Sequence, residues 1–243
     1  MGKKNGSPLH PGEAQPHIGL LKERSLHAAL KELYLPPGAQ QEVKLGRIVV
    51  DILAAPDCIF EIQTRGLGKL RRKLENLLEK YRVTIVYPVA AEKTILLYDK
   101  HGEKLVSKRK SPKKNSLSDI AFECAGIREY IGHRNLYIEV VFTREEEIRH
   151  DDGKGSWRRK GKTITDRKLV DIKEKHVFHD KKDFLKLLPS PCPRNFTNRK
   201  LASRLKIHVS RAQQITYLLR SLGLLAVKGK QGNSFIFQKN RLK

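Results

Sequence analysis

Two acidic residues stand where a folded chain can least accommodate them. Asp51 lies inside the run Val49-Val50-Asp51-Ile52-Leu53, and Glu61 lies inside Ile59-Phe60-Glu61-Ile62-Gln63. Both runs are short, apolar and rich in β-branched residues, so they read as strands with covered faces. Taking an ionised carboxylate out of water is costly unless a cation or hydrogen-bond donors compensate it. The fold must bring such partners to both acids. Turn signals set their pairing: a three-residue loop at Ala55-Pro56-Asp57 places Asp51 across from Glu61, and a two-residue turn at Gly46-Arg47, glycine first as in a type II′ hairpin, places Glu42 across from Asp51. Like charges directly opposite one another destabilise a sheet. A bound hard cation with oxygen ligands, Mg²⁺ (or Mn²⁺), is the simplest compensation.

Around this meander, Leu21, Leu26, Ala29, Leu30 and Leu33 recur at helical spacing and predict a helix over 17–35, ended by Pro36-Pro37-Gly38. Strands are expected at 40–45, 48–53, 58–64, 83–87, 94–98 and 136–143, helices at 67–81 and 117–131, and an exposed loop at 108–115. That order, α-β-β-β-α-β-β-α-β, belongs to the α/β (α+β) class, with a mixed sheet flanked by helices. Residues 1–17 contain no apolar segment and are expected to be a flexible tail, neither signal peptide nor anchor. The change of character at Glu145, followed by Trp157-Arg158-Arg159-Lys160, marks 146–162 as a linker between a front domain, 18–145, and a rear domain, 163–243.

The formal net charge of +24 points to a polyanionic partner, and nucleic acid is the natural one. Residues 151–243 carry 24 Lys and Arg against 7 Asp and Glu, so most of the excess sits in the rear. No apolar run approaches the roughly 20 residues needed to cross a bilayer, and no membrane partner is expected. Cys58, Cys124 and Cys192 are too dispersed for a zinc site or a disulfide framework, which fits a reducing, cytoplasmic setting.

With Asp51, nine intervening residues and then Glu61-Ile62-Gln63, the front domain resembles the PD-(D/E)XK, restriction-endonuclease-like nuclease superfamily over roughly residues 18–143. The resemblance implies Mg²⁺-dependent phosphodiester hydrolysis, with Asp51 and Glu61 holding the metal and Gln63 orienting the attacking water. Glu23, in the helix before the meander, occupies the place of an additional acid, and Glu42 is the alternative third acid from the register. His27 reads as a surface histidine. One departure matters: Gln63 stands where the family has lysine, and an amide cannot carry a proton or stabilise developing negative charge as an ammonium does. The implied function is therefore a DNA endonuclease or DNA-processing factor, with a non-catalytic DNA-binding regulator as the alternative. Arg71 and Arg72, in the basic run that opens the second helix, are placed to grip flanking phosphates.

The rear run "LASRLKIHVSRAQQITYLLRSLGLL", followed by a hairpin, resembles the winged helix-turn-helix family. That resemblance assigns Arg211, Gln213 and Gln214 to base edges, and Arg204, Lys228 and Lys230 to phosphates. A homodimer is compatible with it.

Overall fold

The computed structural model describes residues 25–113 and 115–240. A mixed sheet of seven strands dominates it, in the order β1-β2-β3-β4-β6-β7 with β5 branching from β4. Helix α1 (Ser25–Leu33) leads into the antiparallel meander β1 (Gln40–Leu45), β2 (Ile48–Ala54) and β3 (Cys58–Ile62). Both expected turns are present, and Gly46 takes φ 62°, on the positive side that the first position of such a hairpin turn requires. From β3 the chain crosses through a 3-10 turn (Leu67–Leu70) and α2 (Arg71–Leu77) to β4 (Arg82–Tyr98), which lies parallel to β3. A parallel pair needs such a crossover, and the apolar residues Leu67, Leu70, Leu74 and Leu77 supply its buried side. The hairpin strand β5 (Leu105–Lys110) and α3 (Ile120–Ala125) then lead to β6 (Leu136–His150), again parallel to β4, and β7 (Thr163–Phe178) returns antiparallel to β6.

The sheet is covered on both faces. On one, Leu26, Leu30 and Tyr34 of α1 pack on Ile52, Ile62, Val86 and Val141. On the other, α2 and α3 share a core that continues into a C-terminal unit. There α4 (Asn198–Leu205) and α5 (Val209–Ser221) pack against a three-stranded sheet of β8 (Asn195–Phe196), β10 (Ser234–Lys239) and β9 (Leu225–Gln231). Thr197 caps α4, its side chain accepting from the N–H of Lys200, and Lys206 turns the chain between the helices at φ 54°. Thus the chain is mixed α+β, a large mixed sheet flanked by helices.

Several elements differ from the sequence reading. The strands expected at 83–87 and 94–98 are one strand: Pro88 pairs across from Val141 within the ladder, and a register shift near Ala90 absorbs the irregularity. The loop expected at 108–115 is partly β5, whose six residues are all exposed and so show no alternation of polar and apolar positions. The linker expected at 146–162 falls inside the β6–β7 hairpin, and residues 163–178, expected to open the rear domain, are β7 of the front sheet.

The physical reason is that the acidic run faces inward. Glu145 is fully buried; it accepts from Thr143 Oγ1 at 2.7 Å and from Nε and Nη2 of Arg167 at 2.9 and 2.6 Å. Glu147, 3% exposed, accepts from Lys93 Nζ at 2.7 Å and from both Nε and Nη2 of Arg149. A compensated buried acid and a solvated one look alike in a sequence. Removing one partner separates them: Arg167→Met should cost about 3–5 kcal/mol by leaving Glu145 buried without its cation. Thermal or urea unfolding measures this, and a loss below about 1 kcal/mol would mean that Glu145 reaches water.

Candidate active site

The site lies where β2 and β3 part. Their ladder runs from Ala54↔Cys58 to Ile52↔Phe60, and continuing it by one residue sets Asp51 opposite Glu61. There the backbone pairing gives way to a side chain: Ile62 N–H donates to Asp51 Oδ2 at 2.8 Å. Asp51 fills the opening between the strands, and His27 Nε2 of α1 stands 3.5 Å from the same oxygen. Glu61, 3% exposed, accepts from Lys73 Nζ with both oxygens, at 2.8 and 2.7 Å. The two acids named from the sequence are therefore neighbours whose charges act on one another, and the cation that α2 brings to Glu61 is Lys73.

Their ionisation is pushed apart. Burial, and then the charge of Asp51, hold Glu61 up to about 6 although Lys73 acts in the other direction. Burial acts upward on Asp51 too. The hydrogen bonds from His27 and the Ile62 N–H, with the charges of His27 and Lys73, outweigh it and keep Asp51 below the usual carboxylate range.

The other expected residues are distributed as follows. Gln63, two residues beyond Glu61, donates through Nε2 to the carbonyl of Arg65 at 2.5 Å, so its amide is turned toward the following turn. Glu42 meets the register expected of it, yet it adopts φ 53° and its exposed carboxylate accepts from Lys31 Nζ at 2.7 Å, away from the acid pair. Glu23 lies outside the described residues. Among the described residues, no group of three or more His, Cys, Asp or Glu is arranged to hold a metal. His27, read from the sequence as a surface residue, is a neighbour of Asp51. Lys73 and His27 were missed as site members because each arrives from a helix. The signal for Lys73 was its position in the basic run after the acidic strand.

A cleft of about 1070 Å³ between the β1–β2 turn and α2 opens beside Lys73 and carries Arg47, Lys69, Arg72, Lys73 and Lys80 on its walls. Arg72 is exposed there, whereas Arg71 pairs with Glu129 at 2.6 Å. In the C-terminal unit, Arg204 is exposed, as are Lys228 and Lys230 on β9. Helix α5 is situated differently from the sequence reading. Arg211 pairs with Asp119 of the turn before α3 at 2.7 Å, and Gln213 and Gln214 line an apolar pocket with Gly66, Phe122 and Gly126 of the front unit. The face expected to meet base edges is turned toward α3, because the cores of the two units are continuous.

A family described as a domain of unknown function (DUF8091) matches residues 24–179, the stretch from α1 to the end of β7. An uncharacterized protein of Treponema pallidum (strain Nichols) is 33% identical over 223 residues, covering 91% of this chain and 87% of its own length. No solved structure matches.

The raised Glu61 carries a sign that can be measured. A carboxyl held above its ordinary 4.5 favours the protonated folded state, so its stability contribution is full below about 4.5 and is lost as pH rises through about 6. The depressed Asp51 works oppositely, contributing above its ordinary 3.8 and losing that contribution as pH falls. Melting temperatures followed from pH 4.5 upward past 6 should show a downward contribution with rising pH that is missing in Glu61→Gln. Identical slopes in the two proteins would remove Glu61 as its source.

Proposed function

We propose that this chain, which belongs to the family described as a domain of unknown function (DUF8091), is a DNA-binding, Mg²⁺-dependent phosphodiester hydrolase, an endonuclease or DNA-processing factor. The observation that carries the reading is the juxtaposition of Asp51, Glu61 and Lys73 at the parting of two strands, beside a cation-lined cleft. The meander followed by two parallel crossovers is the element order expected of a restriction-endonuclease-like sheet, and it supports the same reading.

The donor set suits a hard cation. Mg²⁺ typically takes one or two carboxylates from a protein and completes its shell with water and phosphate. Asp51 and Glu61 supply two such carboxylates, and the charge of Asp51 on Glu61 is a repulsion that a shared cation relieves. When bound, Mg²⁺ or Mn²⁺ supplies polarisation of the phosphate and a more acidic water. The protein's own groups do the rest. Lys73 takes the part for which Gln63 is chemically unfit: its ammonium, on a helix instead of the strand, stands against Glu61 and can neutralise charge developing on a phosphate. Gln63, once its amide leaves the Arg65 carbonyl, orients water. Arg47, Lys69, Arg72 and Lys80 hold the flanking phosphates. Under the same proposal the C-terminal unit is a winged helix-turn-helix that grips DNA through Arg204, Lys228 and Lys230, leaving α5 to dock on α3. A homodimer would present two such clefts to one duplex.

A second reading, a non-catalytic DNA-binding regulator, is favoured by the same ion pair: Lys73 already neutralises Glu61 without any metal. Cleavage assays with Mg²⁺ and Mn²⁺ on duplex, single-stranded and branched DNA separate the two. The hydrolase reading expects cleavage that Asp51→Ala or Glu61→Ala abolishes while DNA binding persists, and that Lys73→Met lowers by roughly 100- to 1000-fold. Introducing Gln63→Lys into Lys73→Met should recover part of the loss. No cleavage of any form by the parent chain would leave the regulator.

A further inference from the structure

The longest strands are β4, β6 and β7, and the turn at the tip of the β6–β7 hairpin holds the chain's single tryptophan. Trp157 is 82% exposed, well beyond the other exposed large apolar side chains among the described residues, of which Phe122 at 59% is the next. Leaving an indole in water forgoes the burial on which a fold draws, so the surrounding turn is informative. It is tightly built. Gly155 N–H donates to the Gly161 carbonyl at 2.6 Å, Arg159 N–H to Ser156 at 2.9 Å and Lys160 N–H to Trp157 at 2.9 Å. Asp152 Oδ1 accepts from Lys154 N–H and from Thr163 Oγ1, and Asp151 pairs with Lys162 at 3.2 Å. A Cβ on Gly155 would come within 1.9 Å of the Lys162 carbonyl oxygen, so only glycine fits there. The turn spends its acids and backbone groups on its own shape, and what it presents outward is one indole with the exposed Arg158 and Lys160 after it; Arg159 between them is half-buried, its Nε donating to the Lys162 carbonyl at 3.2 Å. The Arg158 guanidinium lies 5.5 Å from the ring centroid.

We infer that this tip is a stacking platform for an unpaired nucleobase, with Trp157 supplying the aromatic face and the exposed Arg158 and Lys160 holding the adjoining phosphates. The inference rests on the nucleic-acid reading proposed above and adds to it a preference for DNA with unstacked bases, such as single strands, flaps or junctions. An indole offers a π-face to every base, and cations at its border follow the backbone. A protein partner or a lipid surface fits less well: the neighbours of Trp157 in the turn are polar or charged, so no apolar patch continues from it.

Because Trp157 is the only tryptophan of the 243 residues, its fluorescence reports on this tip alone in the intact chain. Binding is followed in parallel by the anisotropy of labelled DNA, with Mg²⁺ withheld so that the strand stays intact. Oligothymidylate should quench Trp157 and protect it from acrylamide, a blunt duplex much less so. Trp157→Ala should weaken oligothymidylate binding by roughly 5- to 150-fold, and Trp157→Phe should restore most of it. As an exposed residue, it can be replaced without unfolding the chain, and a melting curve checks this. Oligothymidylate that binds by anisotropy with no change at Trp157 overturns the inference and leaves the nucleic-acid reading standing. Absence of binding to any DNA overturns both. A blue shift on vesicles of phosphatidylserine and phosphatidylcholine, without quenching by DNA, assigns the tip to membranes and overturns the inference as well.

Discussion

Removing carboxylates from water is the constraint around which this molecule is arranged. Asp51 and Glu61 sit in strands whose flanking residues must be buried for the sheet to close, so the acids are carried inward with them. The compensation is local and specific: a backbone N–H enters the gap toward Asp51, His27 approaches from one helix and Lys73 from another. The geometry of the meander follows from this. Two strands that pair normally from Ala54 and Cys58 cannot remain paired past Ile52 once a side chain takes the hydrogen bond that the backbone would have made.

The same physics recurs along β6, with another outcome. Glu145 and Glu147 are buried as deeply as Glu61, but each is enclosed by cations with Arg or Lys hydrogen bonds: Arg167 for one, Lys93 and Arg149 for the other. For Glu147 burial again acts upward, yet Lys93 and Arg149 prevail and hold its carboxyl below the ordinary range. Glu61 has one lysine and an acidic neighbour, and it stays high. That difference separates an ion pair that closes a structure from an acid pair left with unmet charge. Acids whose ionisation is driven apart by their surroundings mark candidate catalytic positions more reliably than burial alone.

Much of this was legible in the chain. Alternation, turn residues and loop lengths gave β1 to β3 nearly to the residue, and with them the register that sets Asp51 opposite Glu61, because hairpin register depends only on the turn and the pleat. What could not be read depends on distant partners. Lys73 reaches Glu61 only after a crossover has been folded. Glu42 has the right register but turns to Lys31 because its backbone takes a positive φ that no neighbouring residue type announces. The acidic stretch near Glu145 read as solvated linker because its cations are contributed by β4, by β7 and from within β6 itself. Helix α5 was legible as a helix, but its docking on α3 is a matter of tertiary packing: the Arg211–Asp119 pair joins two units that the sequence treats as separate.

Under the proposed function, the notch formed by Asp51 and Glu61 is a cation site. Anomalous diffraction from crystals soaked in Mn²⁺ tests it most directly. A manganese peak is then expected between the carboxylates of Asp51 and Glu61, with the Lys73 ammonium displaced from Glu61, and no such peak in Asp51→Asn. Crystals in which Lys73 keeps its bonds to Glu61 and manganese is absent from the notch would contradict it.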